Sequence, residues 1–399
     1  MPYPDERICN PVSMTELERR WAAARAAMRE AKLDALVIQG ACNAVGTGGY
    51  FRWFTGVSPI GSYPQTVIFP AEGLMSLVMH GPLNGDHDLR GEDATLPGIG
   101  RRLTTPHFPA IGYAKSYDAE LVAREIMQRG FRAIGLVALN QMVHGSGAAL
   151  ERRLVGLEVR DATDLIDPLK AVKSAEEVAL IRRTAAMQDE VLKRAMAHLR
   201  PGMKDFEIMA YSHYQGQLLG SETGYMLGSS SPVGQPAFIR PRPQQGRELR
   251  AGDTLFLQAE TTGPGGMFVH IGRLVVLGKA PQELVDAWGM AVEAQDFTVG
   301  LLKPGALCRD IFAAYQSYLR ARKLPEETRL HCHGQGYDVV ERPLIRHDES
   351  MMLAAGMNIG IHPSWTTPRY FITVCDNFLI GADGTVERLH KTPRAIVEL

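Results

Sequence analysis

The chain of 399 residues is 45% hydrophobic and 22% charged, enough apolar material for two domains with sizeable cores. Its 43 basic and 44 acidic residues leave a net charge of −1, so it offers no general attraction to nucleic acid or an anionic membrane, and neither is expected as a partner. Cys9, Cys42, Cys308, Cys332 and Cys375 are odd in number, widely spaced and without a Cys-x-x-Cys pair, which argues for reduced thiols. The opening Met-Pro-Tyr-Pro-Asp-Glu-Arg lacks a basic-then-apolar layout and no apolar run reaches bilayer length, so a cytoplasmic protein is expected.

Ser13-Met-Thr-Glu16 has capping-box spacing ahead of Leu17, Trp21, Ala24 and Met28, which predicts a helix. Asp34 to Gln39 reads as a strand. Thr66 to Phe69 and Leu74 to Met79, joined by Pro-Ala-Glu-Gly, predict a hairpin. Gly81 to Gly112, rich in Gly, Pro, His and Arg, reads as a long irregular segment. Ala119 to Gln128 reads as a helix and Ala133 to Ala138 as a strand, with Glu151 to Gly156 and Glu158 to Asp161 closing the first domain. The boundary is placed near Leu165, giving domains 1–165 and 166–399. Beyond it, Ser174 and Glu177 again have capping-box spacing. Further helices are expected from Lys204-Asp205, over Pro281 to Leu302, and over Leu307 to Arg322.

Between Gly252 and Asp376, short apolar segments each carry a polar residue where a strand would face a cavity. They read Gly-Asp-Thr-Leu-Phe-Leu-Gln258, Met-Phe-Val-His270-Ile-Gly-Arg273, His331-Cys-His333-Gly-Gln-Gly336, Gly356-Met-Asn-Ile-Gly-Ile-His362-Pro363 and Phe371-Ile-Thr-Val-Cys375-Asp376. Side chains alternate between the faces of a strand, so several such residues converging suggests a site.

These frames resemble the pita-bread family of creatinase, prolidase, aminopeptidase P and methionine aminopeptidase. The resemblance implies an α/β N-terminal creatinase-like domain, an α+β pita-bread C-terminal domain, and a homodimer in which one subunit's N-terminal domain closes over the other's site. In the family's metallopeptidases the matching segments supply five ligands to two metal ions. Here Gln258 stands for the first Asp, His270 for the second, His333 for the histidine, His362 for the first Glu and Cys375 for the last. With a neutral amide at Gln258, a dinuclear Mn/Co centre is not expected. Three readings stay open. One divalent ion, zinc or iron, is held by His270, His333, His362 and Cys375; or the histidines form a metal-free hydrogen-bonded site, as creatinase implies; or they are satisfied core residues.

Catalytic roles are expected of His270, His333, His362 and Glu341, and substrate contacts of Gln258, Glu260, Arg273 and Arg342. The plainer readings make Glu260 and Glu341 surface carboxylates, or ion-pair partners of Arg273 or Arg342. Arg240, Arg242, Arg247 and Arg250 offer an anchor for an acidic substrate, or form a solvated basic loop. Cys332 is expected to be a buried, inert thiol and Asp376 structural. The family's catalytic-loop histidine has no counterpart near Gln235, and its second histidine is Val340 here. The resulting expectation is a non-peptidase enzyme acting on a small molecule, by hydrolysis or elimination at a C–N or C–O bond. The alternatives are an inactive pita-bread protein that binds a ligand or partner, and an Xaa-Pro-type metallopeptidase with altered ligands.

Overall fold

The computed structural model describes residues 12–40, 46–59, 63–108, 110–114 and 116–399. The N-terminal stretch, Cys9 and Cys42 lie outside the described residues. The chain divides into two compact units, 1–170 and 171–399. No helix among the described residues is long and apolar enough to cross a membrane.

In the first unit, helix α1 (Met14–Glu30) starts at Ser13, whose hydroxyl accepts the Glu16 amide at 3.1 Å. Strand β1 (Ala35–Gly40) follows, then α2 (Gly49–Thr55), the β2 (Gln65–Pro70) and β3 (Met75–His80) hairpin, β4 (Gly85–Asp88) and β5 (Ile99–Thr105). Helix α3 (Tyr117–Gln128), β6 (Ala133–Val137), α4 (His144–Arg153), β7 (Glu158–Asp161) and α5 (Thr163–Ala171) complete it. The strands form one sheet in the order β4-β5-β3-β2-β1-β6-β7. The segment expected to be irregular, Gly81 to Gly112, therefore contributes two strands. Its polarity has a physical cause: Ile99 and Leu103 point into the core, while Arg101 between them reaches Asp86 at 2.6 Å and Glu125 at 2.5 Å. Charge pairs near a sheet edge disguise the alternation that marks a strand.

The second unit opens on α6 (Ala175–His198), with the Ser174 hydroxyl accepting the Glu177 amide and the Glu177 carboxylate accepting the Ser174 amide. Helix α7 (Asp205–Leu218) leads to β8 (Gly224–Pro232), β9 (Asp253–Thr262) and β10 (Phe268–Val276). After α8 (Gln282–Leu301) and α9 (Cys308–Ala321) come β11 (Cys332–Gly334), β12 (Glu341–Leu344), β13 (Asn358–Ile361), β14 (Ser364–Thr366), β15 (Phe371–Thr373), β16 (Asp376–Ile380), β17 (Val386–Arg388) and β18 (Val397–Glu398). They build one sheet ordered β18-β10-β9-β8, another ordered β12-β11-β13-β16-β17, and the β14-β15 pair.

Alternation along β9 decides what each residue faces. Leu255, Leu257 and Ala259 pack with Leu192, Ala195, Ile208 and Met209 of α6 and α7. Phe256 points the other way, into a cluster with Trp288 of α8 and Tyr315 of α9. Gln258 and Glu260 share the face of Phe256 by the two-residue period. The two main sheets meet at Gly272 and Cys375, whose backbones exchange hydrogen bonds of 3.1 and 3.4 Å. A Cβ at Gly272 would lie 2.8 Å from the Phe256 ring and 3.2 Å from the Cys375 Sγ, so only glycine allows this approach. Gly272→Ala is expected to cost roughly 1–3 kcal/mol by overpacking this seam, measured by urea denaturation; an unchanged midpoint would show that the seam is loosely packed.

Candidate functional site

Strand pairing gathers the polar residues. On β9 and β10, His270 is directly opposite Glu260, and Gly272 opposite Gln258. On β11 and β13, His333 is opposite Gly360, while Cys332, Ile359 and Ile361 turn into the apolar core behind. His362 follows β13, and Cys375 lies at the seam. These residues line a cavity of about 230 Å³, with Tyr225, Leu227, Val339, Val340 and Phe371 supplying apolar wall and Arg329 a cation. The three imidazole rings face one another edge to face or tilted, with centroids 5.5 Å apart for His270 and His333, 5.3 Å for His270 and His362, and 5.1 Å for His333 and His362. Space for His270 exists because residue 360 has no side chain: a Cβ there would lie 2.5 Å from the His270 Nε2.

Hydrogen bonds assign the protons on two of the rings. The Nδ1 of His270 is 3.3 Å from Glu260 Oε1, and the Nδ1 of His333 is 2.9 Å from the Gly334 carbonyl. An ionised carboxylate and a carbonyl only accept, so each Nδ1 donates and each Nε2 carries a lone pair. The Nε2 of His270 is buried and has no hydrogen-bond partner among the described residues. The Cys375 thiol donates to Gln258 Oε1 at 3.2 Å, and the Gln258 amide reaches toward Glu260 at 3.4 Å.

Burial dominates the electrostatics. Desolvation, with its histidine neighbour, lowers the His333 pKa to about 4 and takes His362 well below its ordinary value, so both rings are neutral at pH 7. His331, stacked on Tyr315 behind the site, falls to about 3 for the same reason. The Cys375 thiol is pushed far up by burial and the nearby Glu260 charge. Burial raises the Glu260 pKa, but hydrogen bonding to His270 and the fields of His270, His333 and Arg329 outweigh it, leaving this carboxylate below its usual range and ionised.

Of the residues singled out from sequence, His270, His333, His362, Cys375, Gln258 and Glu260 come together at the cavity. Others are placed elsewhere. Glu341 closes on the buried Lys173 amino group. Arg273 is fully buried, bonding Asp376 at 2.8 Å and the carbonyls of Cys375, Thr392 and Pro393. Arg342 pairs with Glu349 at 2.6 Å. Neither arginine pairs with Glu260, which is neither a surface carboxylate nor their partner. Arg247 is held by Asp253 at 2.5 Å, and none of Arg240, Arg242, Arg247 and Arg250 lines the cavity. Cys332 is buried with its pKa raised, and Asp376 is a buried partner of Arg273 and Arg388. Reading the sequence missed Tyr225, which sits opposite Glu260 on β8, and Arg329; alternation of Tyr225 and Leu227 was the available signal for the first.

The family resemblance implies a metal centre, and the donors here do not fit one. None of the five aligned positions holds a carboxylate. Among the described residues no three His, Cys, Asp or Glu side chains are arranged to hold an ion.

The sequence profile of metallopeptidase family M24 matches residues 179–382, just over half of the chain. The chain belongs to metallopeptidase family M24. Among M24 relatives, a protein of Sinorhizobium fredii named an uncharacterized hydrolase/peptidase is 24% identical over 63% of this chain, and the match spans 65% of that protein's length. A Pyrococcus horikoshii Xaa-Pro dipeptidase is 22% identical over 79% of this chain and 89% of its own length. The solved structure of dipeptidase PepE from Mycobacterium ulcerans superposes with a TM-score of 0.75 at 22% identity, covering 98% of this chain and 99% of that one. A prolidase from Thermococcus sibiricus gives 0.78 at 19% identity, covering 97% and 100%. At these identities the superpositions establish the pita-bread fold. Nothing in these relatives favours the non-peptidase activity expected from the residues.

Buried neutral histidines make stability depend on pH. A folded pKa below the unfolded value near 6.5 means that the unfolded chain binds more protons as pH falls, so stability present above that value is lost on the way to about 4. One such histidine accounts for about 2 kcal/mol between neutral pH and pH 5. Urea unfolding at pH 7.5, 6 and 5 is expected to show this loss, with a shallower slope in His333→Gln; a flat profile would contradict it.

Proposed function

We propose that the chain is a hydrolase that cleaves a C–N bond in a substrate of dipeptide size or smaller, with His270, backed by Glu260, as its acid/base group. One observation carries the reading: a buried imidazole donates through Nδ1 to an ionised carboxylate, while its Nε2 lone pair has no partner among the described residues. A buried acceptor left unpaired costs about 1–3 kcal/mol, which a bound water or substrate group would recover. In a first step the Nε2 takes a proton from water as the water oxygen bonds to the substrate carbon. As the C–N bond breaks, the same proton passes to the departing nitrogen. Glu260 keeps the ring in the productive tautomer and stabilises its cationic form during the transfer. His333 is a weak base at neutral pH because burial holds its pKa near 4. Peptide substrates fall inside this class, in keeping with the dipeptidase names of the relatives, and no step is routed through a metal.

The test is hydrolysis of a panel of dipeptides, Xaa-Pro included, and small N-acyl amines after exhaustive chelation and gel filtration. Turnover is expected to survive chelation, to fall by about 100-fold or more in His270→Ala, and to fall by a smaller factor in Glu260→Gln. Activity that disappears with stoichiometric zinc or iron and returns with it would overturn the metal-free mechanism. A wild-type protein that cleaves nothing in the panel would count against a hydrolase.

A further inference from the structure

We infer that Arg329 anchors a carboxylate on the substrate, so that the site takes small monoanions in preference to neutral molecules; this inference rests on the reading of the cavity as a substrate site.

Among the described residues lining the cavity, Arg329 is the cation and Glu260 the acid. The Glu260 carboxylate is occupied by His270. The guanidinium has no such partner: Arg329 forms no ion pair among the described residues, whereas nearby Arg320, Arg322 and Arg342 close on Glu326, Glu293 and Glu349. The acid nearest in sequence, Glu327, accepts the Arg329 backbone amide at 2.6 Å through Oε1.

The segment that carries Arg329 is tied down. Glu327 exchanges two hydrogen bonds with Gln316 of α9, its carbonyl accepting from the Gln316 amide at 2.7 Å and its own amide donating at 2.9 Å. Four residues further on, β11 delivers His333 to the cavity. The backbone of Arg329 is thus held at a set distance from the imidazoles while its side chain stays exposed. A guanidinium presents a fork of N–H donors that matches a carboxylate with two parallel hydrogen bonds. With the Glu260 carboxylate engaged by His270, one guanidinium at the cavity matches one negative charge on the ligand. A phosphate would face a second charge with no second cation, so the carboxylate is the better fit. Because the side chain is exposed, water weakens the pair, and the expected preference is about tenfold rather than absolute.

The experiment is calorimetric titration of wild-type, Arg329→Met and Arg329→Lys protein with N-acetyl-Ala-Pro and N-acetyl-L-proline, each beside its C-terminal amide, with KM and kcat for any ligand that is cleaved. Wild type is expected to bind the carboxylates about tenfold more tightly than the amides. Arg329→Met should bring that ratio to near one through KM, and Arg329→Lys should restore part of it, with the thermal midpoint unchanged in both. A wild type without preference for the acids, or an Arg329→Met protein that keeps the preference, overturns the proposal. The two readings separate cleanly. An Arg329-dependent preference in a protein that hydrolyses none of these ligands upholds the anchor and defeats the hydrolase. Cleavage of acid and amide with equal KM does the reverse.

Discussion

Glu260 and His270 face each other on adjacent antiparallel strands, and the carboxylate accepts the ring's Nδ1 proton. Much of the site follows from that contact. It requires β9 and β10 to pair in one register, because a slip of one strand by a single residue would turn its side chain to the opposite face of the sheet and break the pair. It requires a glycine at position 360, since any side chain there would collide with the ring. The close seam at Gly272 and Cys375 then brings the second sheet near enough for His333 and His362 to complete the cluster.

Packing three imidazoles together would be costly if they were charged. Burial lowers that cost by holding His333 and His362 neutral, with one ionised carboxylate beside the cluster. A wall of carboxylates would repel itself unless cations neutralised it; a wall of neutral imidazoles does not need them. This difference separates the cavity chemically from the two-ion site that the family resemblance implies, although the fold around it is that of M24 proteins.

The legible part of the molecule was the part set by local frames. Gly-Asp before Gln258, Ile-Gly-Arg after His270, Gly-Gln-Gly after His333 and Pro363 after His362 fixed positions along strands, and alternation then dictated a shared face. Capping at Ser13 and Ser174 was equally direct, since each rests on one side chain and one amide three residues away. What could not be read was which long side chain reaches which partner. Glu341, Arg273 and Arg342 sit beside the matched frames, yet Lys173, Asp376 and Glu349 draw them elsewhere, two of these over more than 100 residues of sequence. Strand β5 was hidden for a related reason, its Arg101 being satisfied by Asp86 and Glu125 rather than by water. Arg329 carries no motif at all; only the folding of the segment ahead of β11 brings it to the cavity.

The most direct test of a carboxylate-backed histidine cluster is nitrogen-15 NMR of the imidazole rings across a pH series. The account predicts that at pH 7.5 His270 and His333 carry their proton on Nδ1, that the His270 Nδ1 signal shifts in Glu260→Gln, and that His333 shows no titration down to pH 5. Protons on Nε2 of both rings, or a His333 that titrates near 6.5, would contradict it.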